Sequence, residues 1–212
     1  AFSAAMLDPE LTLSQPATVT AIAGYDAISH AVETAVTTRR TPISELFSRE
    51  SFRLLDGHYS RVLNEPKDIL ARGAMHLGAF FAGVAIEQSM LGAAHACANP
   101  LTARYDLAHG VALAILLPHV VLWNSQANEE LYRDLVGNSI KEACNVTPGN
   151  YLAARLVDLG KAGGLPMDLR TTGVQKKDLS NLAESASQQW TGSFNPRPFG
   201  VPEALEVYQC AF

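Results

Sequence analysis

Apolar residues recur along this chain at spacings of three and four, and period-two alternation is nearly absent. That pattern predicts helices and almost no strand. The leader up to Pro16 reads as irregular or extended, with a turn at Asp8-Pro9. The stretch ATVTAIA predicts a short helix closed by Gly24, and a second helix runs from Tyr25 to about Thr37. Thr41-Pro42 is an N-cap followed by proline at the first helical position, opening a helix to about Leu63. Glu65-Pro66 repeats that signal for a long helix through the eighties, whose small apolar run GAFFAGVA predicts tight packing. Pro100 disfavours helical geometry at Asn99 and clashes one turn back, so a break or kink is expected there. His95 then sits near the end of one helix and His109 opens the next. The most apolar run, Val111 to Trp123, predicts a buried central helix. Amphipathic helices follow at about Glu129–Ala143, Gly149–Ala162, Lys177–Gln189 and from Pro202 to the end, with TGSFNPRPFG as a loop. The fold class is all-α.

Composition narrows the function classes. At 212 residues the chain is one domain, residues 17–212, preceded by a short leader, residues 1–16. Its 48% apolar content is globular rather than disordered. A net charge of −5 without a Lys/Arg cluster argues against nucleic-acid or anionic-membrane partners. Val111–Trp123 is too short to span a bilayer. No basic, apolar leader marks a signal peptide. Cys97, Cys144 and Cys210 are odd in number and lack paired spacing, so a reducing, cytoplasmic compartment fits better than a disulfide framework.

The candidate chemistry lies in one carboxylate and three imidazoles. Asp26 and His30 are four apart and project from one helix face. His95 and His109 follow far downstream, each on a segment that reads as helical. Such a mixed N/O set suits a borderline cation such as Fe(II) or Zn(II). At the start of a helix the dipole favours a neutral His109, the form that binds metal. Glu33 is three residues after His30 and is a candidate support for its imidazole, or a solvated helix charge. Cys97, two residues from His95, points away from that face as a small buried thiol. His58, His76 and His119 read as structural, His58 solvated and His119 bonded to a backbone carbonyl. Phe81 and Ile86 read as packing residues. Arg197 receives no role.

DPELT, GYDAISHAVE, LGAAHACANPL…AHG, LLPHVVLWN, GLPMDLR and NPRP stand in an order that resembles the C-terminal helical domain of the iron-containing (group III) alcohol dehydrogenases. The resemblance covers essentially the whole chain. It implies that Asp26, His30, His95 and His109 are metal ligands for Fe(II), with Zn(II) in some members. It also implies oxidation of small alcohols or reduction of aldehydes with NAD(P), and a homo-oligomer. Two departures stand out. Asn99 occupies the position of the family's second histidine, beside substrate and nicotinamide. That makes it the candidate catalytic residue, yet an amide hydrogen-bonds without shuttling a proton at neutral pH. The family's N-terminal nucleotide-binding domain is not expected within these residues: Gly160-Lys161-Ala162-Gly163-Gly164 fits neither phosphate-loop pattern and reads as a helix end. The expectation is the metal-binding half of an alcohol dehydrogenase, inactive without the cofactor half. The alternatives are a stand-alone, non-catalytic metal-binding domain and a helical metallohydrolase. The second is weakened because neither a His-Asp dipeptide nor paired Glu-x-x-His motifs occur.

Overall fold

The structure, a computed structural model, describes residues 4–137 and 146–212. Eight α-helices are formed there: α1 (Ala17–Val36), α2 (Pro42–Asn64), α3 (Ile69–Glu87), α4 (Ala93–Tyr105), α5 (His109–Val136), α6 (Pro148–Ala162), α7 (Leu179–Ser187) and α8 (Val201–Cys210). No strand occurs among the described residues, so the all-α reading holds. Short 3-10 turns fill connections, including Pro9–Thr12 in the leader and Trp190–Phe194, which begins one residue before the expected loop and occupies its first part.

Local chemistry explains most boundaries. Thr41 caps α2 by accepting from the Ser44 amide while Ser44 returns a bond, with Pro42 at the first turn. The start expected at Glu65-Pro66 lies later, because Asp68 accepts from Ala71 and caps α3. The helix expected near Gly149 begins at Pro148, with Thr147 as its cap. It ends through Gly163 and Gly164, the latter at φ +63, where the Leu165 amide returns to the Gly160 carbonyl. Glu129 was expected to open a helix; Asn128 (φ −138, ψ 38) interrupts α5 just before it. The far end of that expected helix, with Cys144, lies outside the described residues. The helix expected over Lys177–Gln189 is shorter, Leu179–Ser187, behind a 3-10 turn at Lys176–Asp178.

Two expectations are corrected. Gly24 does not close a helix; it lies inside α1, a single 20-residue helix. Its missing side chain is used for packing: a Cβ there would lie 2.8 Å from the Tyr59 ring. Pro100 does not break the chain either. It lies buried inside α4, which starts at Ala93, so His95 is at the beginning of a helix and not near the end of one. At the eighth position of α4 it removes the amide that would otherwise bond the Ala96 carbonyl, a local cost that α4 carries within its buried packing.

The core runs between α1, α2, α5 and α6, with α4, α7 and α8 closing one end. The centre is α5, with Leu113, Ile115, Leu116 and Leu117 fully buried. α5 and α3 are both long and apolar enough to cross a membrane; 72% of the α5 stretch is buried, which marks it as the core helix. α3 lies at the surface and exposes Leu70 and Phe80. Three buried tyrosines tie helices together by their hydroxyls: Tyr25 to Leu156 O (3.1 Å), Tyr59 to Ala21 O (2.9 Å) and Tyr208 to Cys97 O (2.6 Å). Each such bond contributes about 1 kcal/mol net and prevents a larger desolvation cost.

Candidate metal centre

Asp26 and His30 face the same side of α1, and α4 and α5 deliver one histidine each from their first turns. The four side chains meet at Asp26 Oδ1. His30 Nε2 lies 3.6 Å from it, and His95 Nε2 and His109 Nε2 each lie 3.8 Å away. The His30 and His95 rings stack with centroids 4.9 Å apart, and those of His95 and His109 are 5.2 Å apart. Asp26, His95 and His109 alone form a set whose ligand atoms all lie within 4.8 Å of one another. His30 joins them at the edge through Asp26.

These separations are too long for hydrogen bonds and short enough for donors that share one cation. Asp26 Oδ1 and His95 Nε2 are both buried without a hydrogen-bond partner. Two such atoms facing each other carry an uncompensated desolvation cost, which a bound cation would remove. The donor set, one carboxylate and three imidazoles, fits a divalent transition ion. Burial first, then the nearby His95, lowers His30 to about 4. The same causes lower His109. Both rings are therefore neutral at pH 7, the state a metal requires. The His95 side chain is 5% exposed and that of His109 34%, so the cluster is closed beneath His95 and open beside His109.

Glu33 is neither beside His30, as its spacing predicts, nor solvated. Its carboxylate contacts His95, not His30: Oε2 lies 2.5 Å from His95 Nδ1. Glu33 sits two turns beyond Asp26 on α1, and from there its side chain meets the first turn of α4. Spacing on one helix could not reveal this, because the partner belongs to another. Burial alone would raise the Glu33 carboxyl; the His95 ring and the Ala94 amide outweigh it and hold the carboxyl below its usual range. The α4 start uses a second outside group, Asn195 Oδ1, which takes the Ala93 amide at 3.3 Å and pairs with Asn124. Neither asparagine was singled out from sequence.

Asn99 lies further along α4, half-buried, and donates to Gln189 Oε1 at 3.0 Å. Cys97 is fully buried, with its thiol pushed up by burial and then by the nearby Glu33 carboxylate. His76 pairs with Thr12 Oγ1 at 3.2 Å. His58 is half-buried rather than solvated, with Nδ1 2.9 Å from Leu54 O, because that carbonyl lies one turn back on the same helix. His119 makes no hydrogen bond to a carbonyl among the described residues; it packs in a shallow cavity with Trp123 and Cys210. Phe81 packs on Phe47, ring centroids 5.3 Å apart. Arg197, left without a role, stacks on Trp123 at 4.1 Å and donates to the Trp123 carbonyl and to Gln126.

Fold and cluster together define a helical domain with three histidines and one aspartate gathered at the meeting of three helices. The model of the Fe-containing alcohol dehydrogenase family, C-terminal, matches residues 20–212, and the chain belongs to that family. It is 32% identical to 1,3-propanediol dehydrogenase of Klebsiella pneumoniae, over 99% of this chain and 55% of that protein. It is also 32% identical to lactaldehyde reductase of Escherichia coli (strain K12), over 98% and 55%. The solved structure of 1,3-propanediol oxidoreductase superposes with a TM-score of 0.90 at 32% identity, covering 97% of this chain and 55% of that one. The chain thus spans about half the length of the curated relatives it matches.

Proposed function

We propose that this chain is the metal- and substrate-binding half of an NAD(P)-dependent alcohol dehydrogenase or aldehyde reductase. Asp26, His30, His95 and His109 would hold one divalent ion, Fe(II) or Zn(II). The observation that carries the reading is the convergence of three imidazoles on Asp26 Oδ1, with that oxygen and His95 Nε2 both buried without partners. Membership of the family and the alcohol- and aldehyde-acting relatives support it.

A bound divalent ion supplies polarisation of an alcohol or carbonyl oxygen, which favours hydride transfer to or from the adjacent carbon. The residues of this chain do the holding and orienting. Three helix faces fix the donors, so little reorganisation accompanies binding. Neutral His30 and His109 keep their lone pairs available at pH 7. The open side beside His109 is where a small substrate oxygen approaches. Asn99, one turn after His95 on α4, offers an amide that can hydrogen-bond but relays no proton. The nicotinamide cofactor would be held by the portion of the relatives that this chain does not span, and the assembled enzyme is a homo-oligomer in this reading.

The test is metal content after anaerobic loading with Fe(II) and, separately, Zn(II). About one tightly held ion per chain is expected, and His95→Ala or His109→Ala should each abolish it. Wild-type protein that retains no ion under either loading would sink the reading.

A further inference from the structure

We infer that Glu33 is a positioning residue of this centre: its buried carboxylate sets the tautomer and aim of the His95 ring while anchoring the first turn of α4. The inference rests on the metal-binding reading above and deepens it. Glu33 is 4% exposed. One oxygen accepts the Ala94 amide at 2.7 Å; the other meets His95 Nδ1 at 2.5 Å and the His95 amide at 3.4 Å. An ionised carboxylate only accepts hydrogen bonds, so His95 Nδ1 is the donor. In the neutral ring the proton is then on Nδ1, and Nε2 carries a free lone pair. Nε2 is the atom that faces Asp26 Oδ1 without a hydrogen-bond partner. The carboxylate thus presents the ring in the one tautomer that can ligate toward Asp26. It joins helix placement to ring orientation, since the same group holds both the backbone and the imidazole of His95.

Asn195 separates the two roles. It holds the same helix start through the Ala93 amide but does not touch the ring. Gly92 leaves room for both anchors; a Cβ there would lie 3.1 Å from Glu33 Oε1 and 3.1 Å from Asn195 Oδ1. Loosening the helix and mis-setting the ring are therefore separable by mutation.

The experiment compares wild type, Glu33→Gln and Asn195→Ser, reading 15N shifts of the His95 ring in metal-free protein at neutral pH, Zn(II) affinity and Tm. In wild type the His95 proton should lie on Nδ1. A glutamine keeps the shape, but its single oxygen stays with the Ala94 amide, which can only donate, so the N–H₂ faces the ring. The proton should move toward Nε2, and Zn(II) affinity should fall about 10–100-fold. Asn195→Ser should lower Tm while leaving the His95 tautomer intact and Zn(II) affinity within about threefold. The inference is overturned by a wild-type His95 protonated on Nε2, a result that needs no variant to fold. It is equally overturned if Glu33→Gln leaves tautomer and affinity unchanged, or if Asn195→Ser costs as much affinity as Glu33→Gln. Wild-type protein that takes up no Zn(II) yet shows the Nδ1 proton would sink the metal reading alone and leave Glu33's hold on the ring in place.

Discussion

At the scale of single residues, the cluster is a set of donors prepared for a charge. His30 is lowered to about 4, by burial first and then by the His95 ring beside it, and His109 is lowered for the same reasons. An unfolded histidine titrates near 6.5. Between those values the unfolded chain binds more protons than the folded one, so stability rises with pH. The contribution of these neutral rings is fully present above about 6.5 and is lost as pH falls toward 4. The Tm of metal-free protein should therefore drop on acidification across that window, and His30→Gln should flatten the drop. A wild-type Tm that is level from pH 7 to 4.5 would contradict this. Asn99 belongs to a different environment, bonded to Gln189 and outside the converging atoms. Asn99→His should leave about one metal ion per chain, measured by elemental analysis; loss of the ion would place Asn99 among the ligands. The four candidate ligands were legible as a set because the ordered motifs resemble those of the family; spacing alone placed only Asp26 and His30 on one helix face. Glu33's contact with His95 was not, because it joins residues 62 apart in sequence.

At the scale of elements, helix identity was legible from periodicity and capping, while the fate of Gly24 and Pro100 was not. Both residues weaken a helix locally, and both are overridden by packing: Gly24 admits the Tyr59 ring, and Pro100 is buried within α4. Gly110 shows the same logic at the site. It follows His109 in the first turn of α5, and a Cβ there would lie 2.2 Å from the Ile22 carbonyl oxygen of α1. That is a backbone atom, so α5 would have to move away from the helix that carries Asp26. Gly110→Ala should cost about 3 kcal/mol, or about 6–12 °C in Tm for a domain of this size. It should also weaken metal binding, since His109 would retreat from Asp26. A variant with wild-type Tm and affinity would show that the α1–α5 contact is not needed to hold the site.

At the scale of the whole molecule, the all-α class could be read from the chain, but not which helices touch. Periodicity shows which face of a helix is apolar and is silent on its neighbour; the pairing of α1 with α5 emerges only when the buried faces are placed together. That pairing gives the site a mechanical consequence. The candidate ligands enter from α1, α4 and α5, so an ion held by all four would cross-link three helices that the chain otherwise joins through two others. Binding to the folded state alone stabilises by about 4 kcal/mol when free ion is a thousandfold above Kd. For a domain of this size that corresponds to a rise of about 8–16 °C in Tm. Calorimetry of the same sample before and after loading with Zn(II) should show the rise, and a chelator should reverse it. His95→Ala should remove the metal-dependent part of Tm, because the remaining three donors no longer include the one that α4 contributes. If that variant still gains the full increment, the ion that stabilises the fold is bound somewhere other than this junction.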